Sequence, residues 1–220
     1  MTTPALHFLN ARETLTPHRA WITSCLQEGW CTAAQLLKLP AVDVVIKSGT
    51  QTIPEKGVGA FTPEANVIYI TLDPDSAALR FQPENTLGRI FLHELHHATR
   101  WNGPGYGFSL GEAIVSEGLA GQFVLEAAGG APEPWEALDA ALVSSYLAAV
   151  DAQWESRDYG HVEWFFGAGA LPRWLGYSLG FRLVAEYLAQ NPDHKPSSLA
   201  AADAGAFREY LKRSERAIGG

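Results

Sequence analysis

Apolar and polar positions alternate along this chain in two rhythms, and the change of rhythm divides it. Over the first 40 residues the spacing is helical. Trp21, Ile22, Cys25 and Leu26 mark one face of a helix that Pro17 can open. A second short helix is predicted over Thr32–Leu39, stopped by Pro40. The period then shortens. Val42 to Ile46 reads as a buried strand, Gly57 to Thr62 as an edge strand, and the β-branched and aromatic run Val67 to Leu72 as a third, closed by Asp73-Pro74. Pro63 to Asn66 would turn the last two into a hairpin. Beyond Pro83 the helical rhythm returns. Helices are predicted over about 84–100, from Ser109 to near Gly129-Gly130, and over 135–154, 174–190 and 198–213. A glycine-rich loop over 102–107 separates the first two of these. The expected fold class is α+β, with a small N-terminal antiparallel or mixed sheet over a mainly helical body. The predicted parts are N-terminal helices (1–40), a sheet (41–75), two central helices (84–130) and a C-terminal helical part (131–220). The length fits one compact domain over 1–220.

Composition narrows what such a fold can do. The chain is 47% hydrophobic and only 18% charged, which excludes disorder over most of its length. The formal net charge of −8 is a poor match to nucleic acid, which selects basic surfaces. No run approaches the ~18 apolar residues of a membrane span, and the N-terminus lacks the basic-then-apolar pattern of a signal peptide. Two cysteines, Cys25 and Cys31, lack metal-site spacing and read as reduced thiols of a cytoplasmic protein. With charge so sparse, an ionisable residue set among apolar neighbours calls for a chemical reason.

The segment His93-Glu94-Leu95-His96-His97 supplies one. Two histidines four apart project from one helical face, ~6 Å apart along the axis, and can share one metal ion. Glu94 lies one residue round, where its carboxylate can reach a water instead of the metal. Chance would produce this pattern roughly 0.02 times in a chain of this composition. His96, three residues from His93, reads as a surface or supporting residue.

A catalytic Zn²⁺ needs a third protein ligand and an open position. The next helix offers three glutamates. Ser109-Leu110-Gly111-Glu112 is a capping box, so Glu112 already has a structural task, and Glu126 falls near a helix end. Glu117 is flanked at helical spacing by Ala113, Ile114, Ala120 and Gly121, an apolar stripe in which an unpaired carboxylate is costly. A cation would remove that cost. Glu117 is therefore preferred over Glu112. The small residues Ala113, Gly118, Ala120 and Gly121 suggest close approach to the His93/His97 helix.

His93 to His97 followed by Ser116-Glu117-Gly118-Leu119-Ala120 resembles the gluzincin metallopeptidases, whose third ligand is a glutamate on the following helix. The string from His93 to Tyr106, with Pro172 to Gly180, resembles a bacterial family known as predicted Zn-dependent proteases. The resemblance implies a compact gluzincin with zinc between two helices and a small sheet whose edge strand can bind an extended peptide. It implies hydrolysis of peptide or protein substrates, with zinc on His93, His97 and Glu117 and Glu94 as general base. Tyr177, in the matching later segment, is the first candidate for stabilising the oxyanion, ahead of Tyr159 and His161. Aminopeptidases of this clan carry a glutamate on the edge strand that grips the free amine. The matching segment, Gly57 to Thr62, has no acidic residue, which favours an endopeptidase. Trp101 could wall the cleft and the 102–107 loop could act as a lid. Two other readings compete: a zinc-holding interaction module without turnover, and a di-iron protein. The latter lacks a second E-x-x-H, Asp158 to His161 being the nearest approach.

Overall fold

The computed structural model describes residues 3–81 and 83–218. It has the α+β composition the sequence predicts, with one four-stranded mixed sheet and a predominance of helix. Residues 1–102 and 103–220 form two compact units.

The first unit holds the sheet, built from β1 (Ala5–Leu9), β2 (Asp43–Ser48), β3 (Val58–Glu64) and β4 (Val67–Leu72) in the order β1-β2-β4-β3. β1 and β4 run parallel to β2, while β3 and β4 form the predicted antiparallel hairpin around a two-residue turn at Ala65-Asn66. Val44, Ile46, Val58, Ile68, Ile70 and Leu72 are buried and share one face, as the two-residue period requires. On the opposite face Phe61 stacks on Tyr69 with ring centroids 5.0 Å apart. α1 (Arg19–Ala33) packs against α3 (Pro83–Arg100), and α3 packs against β3. A short helix, α2 (Ala77–Phe81), precedes α3.

Two N-terminal expectations are corrected. Ala5–Leu9 is a strand, not helix. It pairs in parallel with β2, a partner far along the chain that no local pattern reveals. No helix spans Thr32–Leu39, because α1 itself runs on through Thr32 to Ala33. The few residues left before Pro40 close as turns, too few to nucleate a helix of their own.

The second unit is helical. α4 (Leu110–Ala128) is closed at its start by the predicted capping box: the Ser109 hydroxyl accepts from the Glu112 N–H, and the Glu112 carboxylate accepts from the Ser109 N–H. Every residue from Leu110 to Gly121 except Glu112 is buried. α8 (Leu175–Gln190) crosses α4 at glycines. A Cβ on Gly118 would lie 2.1 Å from the Gly180 carbonyl oxygen, and one on Gly180 would lie 2.0 Å from that of Ile114. The small residues of α4 thus admit α8, while Gly121 makes room for Glu136 and Phe181.

The single helix expected over 135–154 is instead a 3₁₀ turn at Pro134–Glu136, α5 (Ala140–Ser144) and α6 (Leu147–Gln153). Asp139 restarts the chain by accepting the N–H groups of Ala141 and Leu142, and Ser145 closes α5 by donating its hydroxyl to the Leu142 carbonyl. α7 (His161–Phe166), between Gly160 and Gly167, was not anticipated. The last helix, α9 (Gly205–Ile218), begins later than predicted because Asp203 accepts the Gly205 N–H. No helix among the described residues is long and apolar enough to cross a membrane. Cys25 is buried and Cys31 exposed, and the two are not joined in a disulfide.

Candidate metal centre

In the first unit α3 presents the two imidazoles together. His93 Nε2 and His97 Nε2 lie 3.0 Å apart, the rings edge to face at 4.7 Å between centroids. One helical turn brings them there, as the four-residue spacing predicts. Glu94, between them in sequence, is buried. Its carboxylate Oε2 accepts the Thr62 hydroxyl at 2.7 Å, and the same hydroxyl lies 3.3 Å from the Glu94 carbonyl oxygen. Thr62 belongs to the edge strand β3, and its own carbonyl accepts the Trp101 indole N–H at 3.0 Å. Trp101 thus ties the end of α3 to the strand that steadies Glu94. His96 is fully buried, not a surface residue.

In the second unit α4 presents Glu117, buried in the middle of its apolar face. Its Oε1 accepts the Tyr106 hydroxyl at 2.8 Å. Burial, reinforced by the charge of Glu117, pushes the Tyr106 phenol well above its ordinary pKa, so the group stays a donor. Burial likewise raises Tyr159, with the Glu117 and Glu112 charges adding to it. His161 is held below the ordinary histidine value by burial, against the opposing pull of Glu117. Its Nδ1 is 3.4 Å from the Tyr159 hydroxyl, and its ring stacks on Phe165 at 4.6 Å. Tyr177 is half-buried on α8, edge-on to Phe165 at 5.1 Å, and close enough to Tyr106 to influence its ionisation. The other two glutamates of α4 are engaged elsewhere: Glu112 in its cap, and Glu126 with the Ser197 N–H and hydroxyl at 2.8 and 2.7 Å.

His93, His97 and Glu117 form a group that could hold a metal ion, each offering one ligand atom, with those atoms within 4.8 Å of one another. The donor set fits zinc. Two imidazole nitrogens aimed at each other across 3.0 Å need either a shared proton or a shared cation, and a carboxylate balances the charge of a cation.

Motif and spacing did not single out Thr62 or the task of Tyr106. Thr62 lies 32 residues before Glu94, and its contact depends on how β3 meets α3. Tyr106 was visible only as a loop residue, although the glycines on either side of it were a signal.

Two histidines four apart on one helix, followed by a glutamate on the next, are the ligand arrangement of the gluzincin class. The chain belongs to the family described as "Predicted Zn-dependent protease (DUF2268)", which matches residues 22–209. No curated protein and no solved structure matches the chain.

Proposed function

We propose that this protein is a zinc-dependent peptidase that cleaves peptide or protein substrates at internal bonds, working in the cytoplasm. One observation carries the reading. The acidic residue between the two convergent imidazoles, Glu94, is not one of the three grouped donors and is oriented by a dedicated hydrogen bond from Thr62. A carboxylate kept apart from the donors and fixed in direction is what a general base requires.

His93, His97 and Glu117 would hold the zinc. When bound, it would lower the pKa of a water towards ~7 and polarise the scissile carbonyl. Glu94 takes the proton as the water oxygen bonds to the carbonyl carbon, then returns it to the departing amine as the C–N bond breaks. Tyr177 is the proposed donor to the oxyanion, and Tyr177→Phe should lower kcat by about 10²–10³-fold if it fills that role. The segment 57–62 offers no carboxylate to grip a free amine, and its Thr62 hydroxyl is committed to Glu94, which supports endopeptidase over aminopeptidase action. A cytoplasmic setting is supported by a cysteine usage of only two residues, too few for a disulfide framework.

The test is digestion of a peptide library with free and acetylated N-termini by wild type and Glu94→Gln, with zinc measured in both. Wild type should cleave acetylated peptides internally, and Glu94→Gln should be slower by about 10²–10⁴-fold with its zinc retained. If wild type holds zinc yet cleaves nothing that the variant does not, the chain is a zinc-holding interaction module instead.

A further inference from the structure

α7 has only 6 residues, too few to hold a helix by themselves, and the chain fastens it from outside. Its end is closed at Gly167, φ +68°, where the Gly167 N–H donates to the Glu163 carbonyl and the Ala168 N–H to that of Val162, both at 3.3 Å. The loop beyond returns to the same place. The Trp174 N–H donates to the Phe165 carbonyl at 3.2 Å, and a Cβ on Gly167 would lie 2.7 Å from the Arg173 Cα. Inside the loop the Glu163 carboxylate accepts the Ala170 N–H at 3.2 Å. Trp174 completes the return at φ +72°, a region that residues with side chains rarely enter. Backbone strain of this kind persists only where the surroundings impose it, and it gathers at functional places. The inner side of α7 buries Trp164 and Phe165. Its outer side holds out two large apolar side chains four residues apart, Val162 at 56% and Phe166 at 51% exposure.

That outer side is continuous with the rings around Glu117. The Phe166 ring lies 6.0 Å from His161 and 6.2 Å from Tyr177, between centroids. The His161 ring lies 6.0 Å from Tyr106, whose hydroxyl donates to Glu117. All of these residues belong to the second unit. We infer that Phe166, with Val162 beside it, is a specificity-determining residue that receives a bulky apolar side chain of the substrate on its exposed ring. The inference rests on the peptidase reading given above and names its substrate class: peptides with an aromatic or large aliphatic residue near the cleaved bond. An extended peptide advances about 3.3 Å per residue. The two ring-to-ring steps from Phe166 to Tyr106 are therefore covered by a few residues of substrate. The two exposed side chains carry no group to pair with a charged residue, so the face selects by apolar contact. A ring held in place by its loop loses little freedom when it is covered, which favours binding there.

The experiment uses the full chain with Zn²⁺ and acetylated peptides that differ at one scanned position, carrying glycine, aspartate, lysine, leucine or phenylalanine there. Cleavage by the wild-type protein gives kcat/KM, and binding to the Glu94→Gln chain gives Kd without turnover. At one position phenylalanine and leucine should be preferred over glycine by about 10–100-fold in both measurements. Phe166→Ser should lose most of that preference. Phe166→Leu should keep an apolar preference but favour phenylalanine over leucine less than wild type does, since the ring-to-ring contact is gone. Wild type that cleaves peptides with no apolar preference, or a preference that Phe166→Ser and Phe166→Leu leave unchanged, would overturn the inference and leave the peptidase reading standing. A Phe166→Ser chain that changes its mass in solution but not its peptide preference would assign the face to self-association, and would overturn the inference as well. Wild type that cleaves nothing, while Glu94→Gln binds apolar peptides through Phe166, would overturn the peptidase reading and keep the face as a peptide-binding one. Should Phe166→Ser fail to fold, the phenylalanine-to-leucine ratio of Phe166→Leu decides alone.

Discussion

α3 and α4 each carry an acidic residue steadied by a hydroxyl from outside the helix, yet they are built in opposite ways. Glu94 of α3 is held by Thr62 from a strand, and Glu117 of α4 by Tyr106 from the loop before it. On α3 the chemistry is written as a contiguous motif, and its glycine, Gly88, has open space where a Cβ would stand. On α4 the candidate chemistry is one carboxylate, and Gly118 lies against the backbone of α8. The described part of α3 is itself largely buried, so the difference lies at the glycines, with room for a side chain at Gly88 and none at Gly118. Where α4 and α8 meet backbone to backbone, neither helix can carry a side chain at the contact.

This contrast can be broken at four places. The largest effect is expected at Gly118→Ala, where the new methyl meets a carbonyl oxygen at 2.1 Å. Overpacking against backbone should cost about 3 kcal/mol or more, a fall of about 6–12 °C in Tm. An unchanged melting curve would mean that α4 and α8 can separate freely. Next comes Thr62→Val, which removes a hydrogen bond to a charged group worth about 1.5–3 kcal/mol. If Glu94 is the general base, kcat should fall by about 10–100-fold with KM and zinc content unchanged.

The third place is the cap that anchors α4. Burial tends to raise the Glu112 pKa, but hydrogen bonds from the Phe108 and Ser109 backbone and the Ser109 side chain outweigh it, and the carboxyl is held below its ordinary value. A lowered folded-state pKa means the ionised form favours folding. Wild type should therefore be more stable than Glu112→Gln above the ordinary carboxylate pKa of about 4.3. That advantage should disappear as the pH falls through the lower folded-state value. Denaturant midpoints of both proteins across pH 2–7 (on the order of six points suffice) measure it. A constant gap down to the lowest pH would show that the charge is not what holds the cap. The smallest effect is expected at Gly88→Ala, where an open helical site should gain about 0.5–1 kcal/mol. A loss there would mean that α3 is as closely fixed as α4.

The same contrast explains what was readable from residues alone. His93 and His97 announce themselves because a helix converts a spacing of four into a shared face. Glu117 was legible for the opposite reason, as a charge with no local excuse. The β3–β4 hairpin was legible because two β-rich runs flank a short polar turn. β1 was not, because its parallel partner lies beyond a helix and a loop. The short helices between Pro134 and Phe166 were blurred because one apolar run is divided only by small polar restarts at Asp139 and Ser145. The supporting hydroxyls of Thr62 and Tyr106 were hidden because each depends on tertiary aim. A threonine on a strand and a tyrosine in a loop are ordinary residues until the fold directs them.

The indole of Trp101 has one more consequence. Along the edge strand the Val58 carbonyl is taken by the Ile53 N–H and the Thr62 carbonyl by the Trp101 indole, and Pro63 has no N–H to offer. An exposed edge is the usual template on which one molecule adds to the next and aggregation begins. Here the hydrogen bond that braces Thr62 also removes an acceptor from that edge. With two of its carbonyls already engaged, β3 offers a neighbouring strand fewer partners than an open edge would, so of the two edges of the sheet, β1 and β3, this one is partly closed.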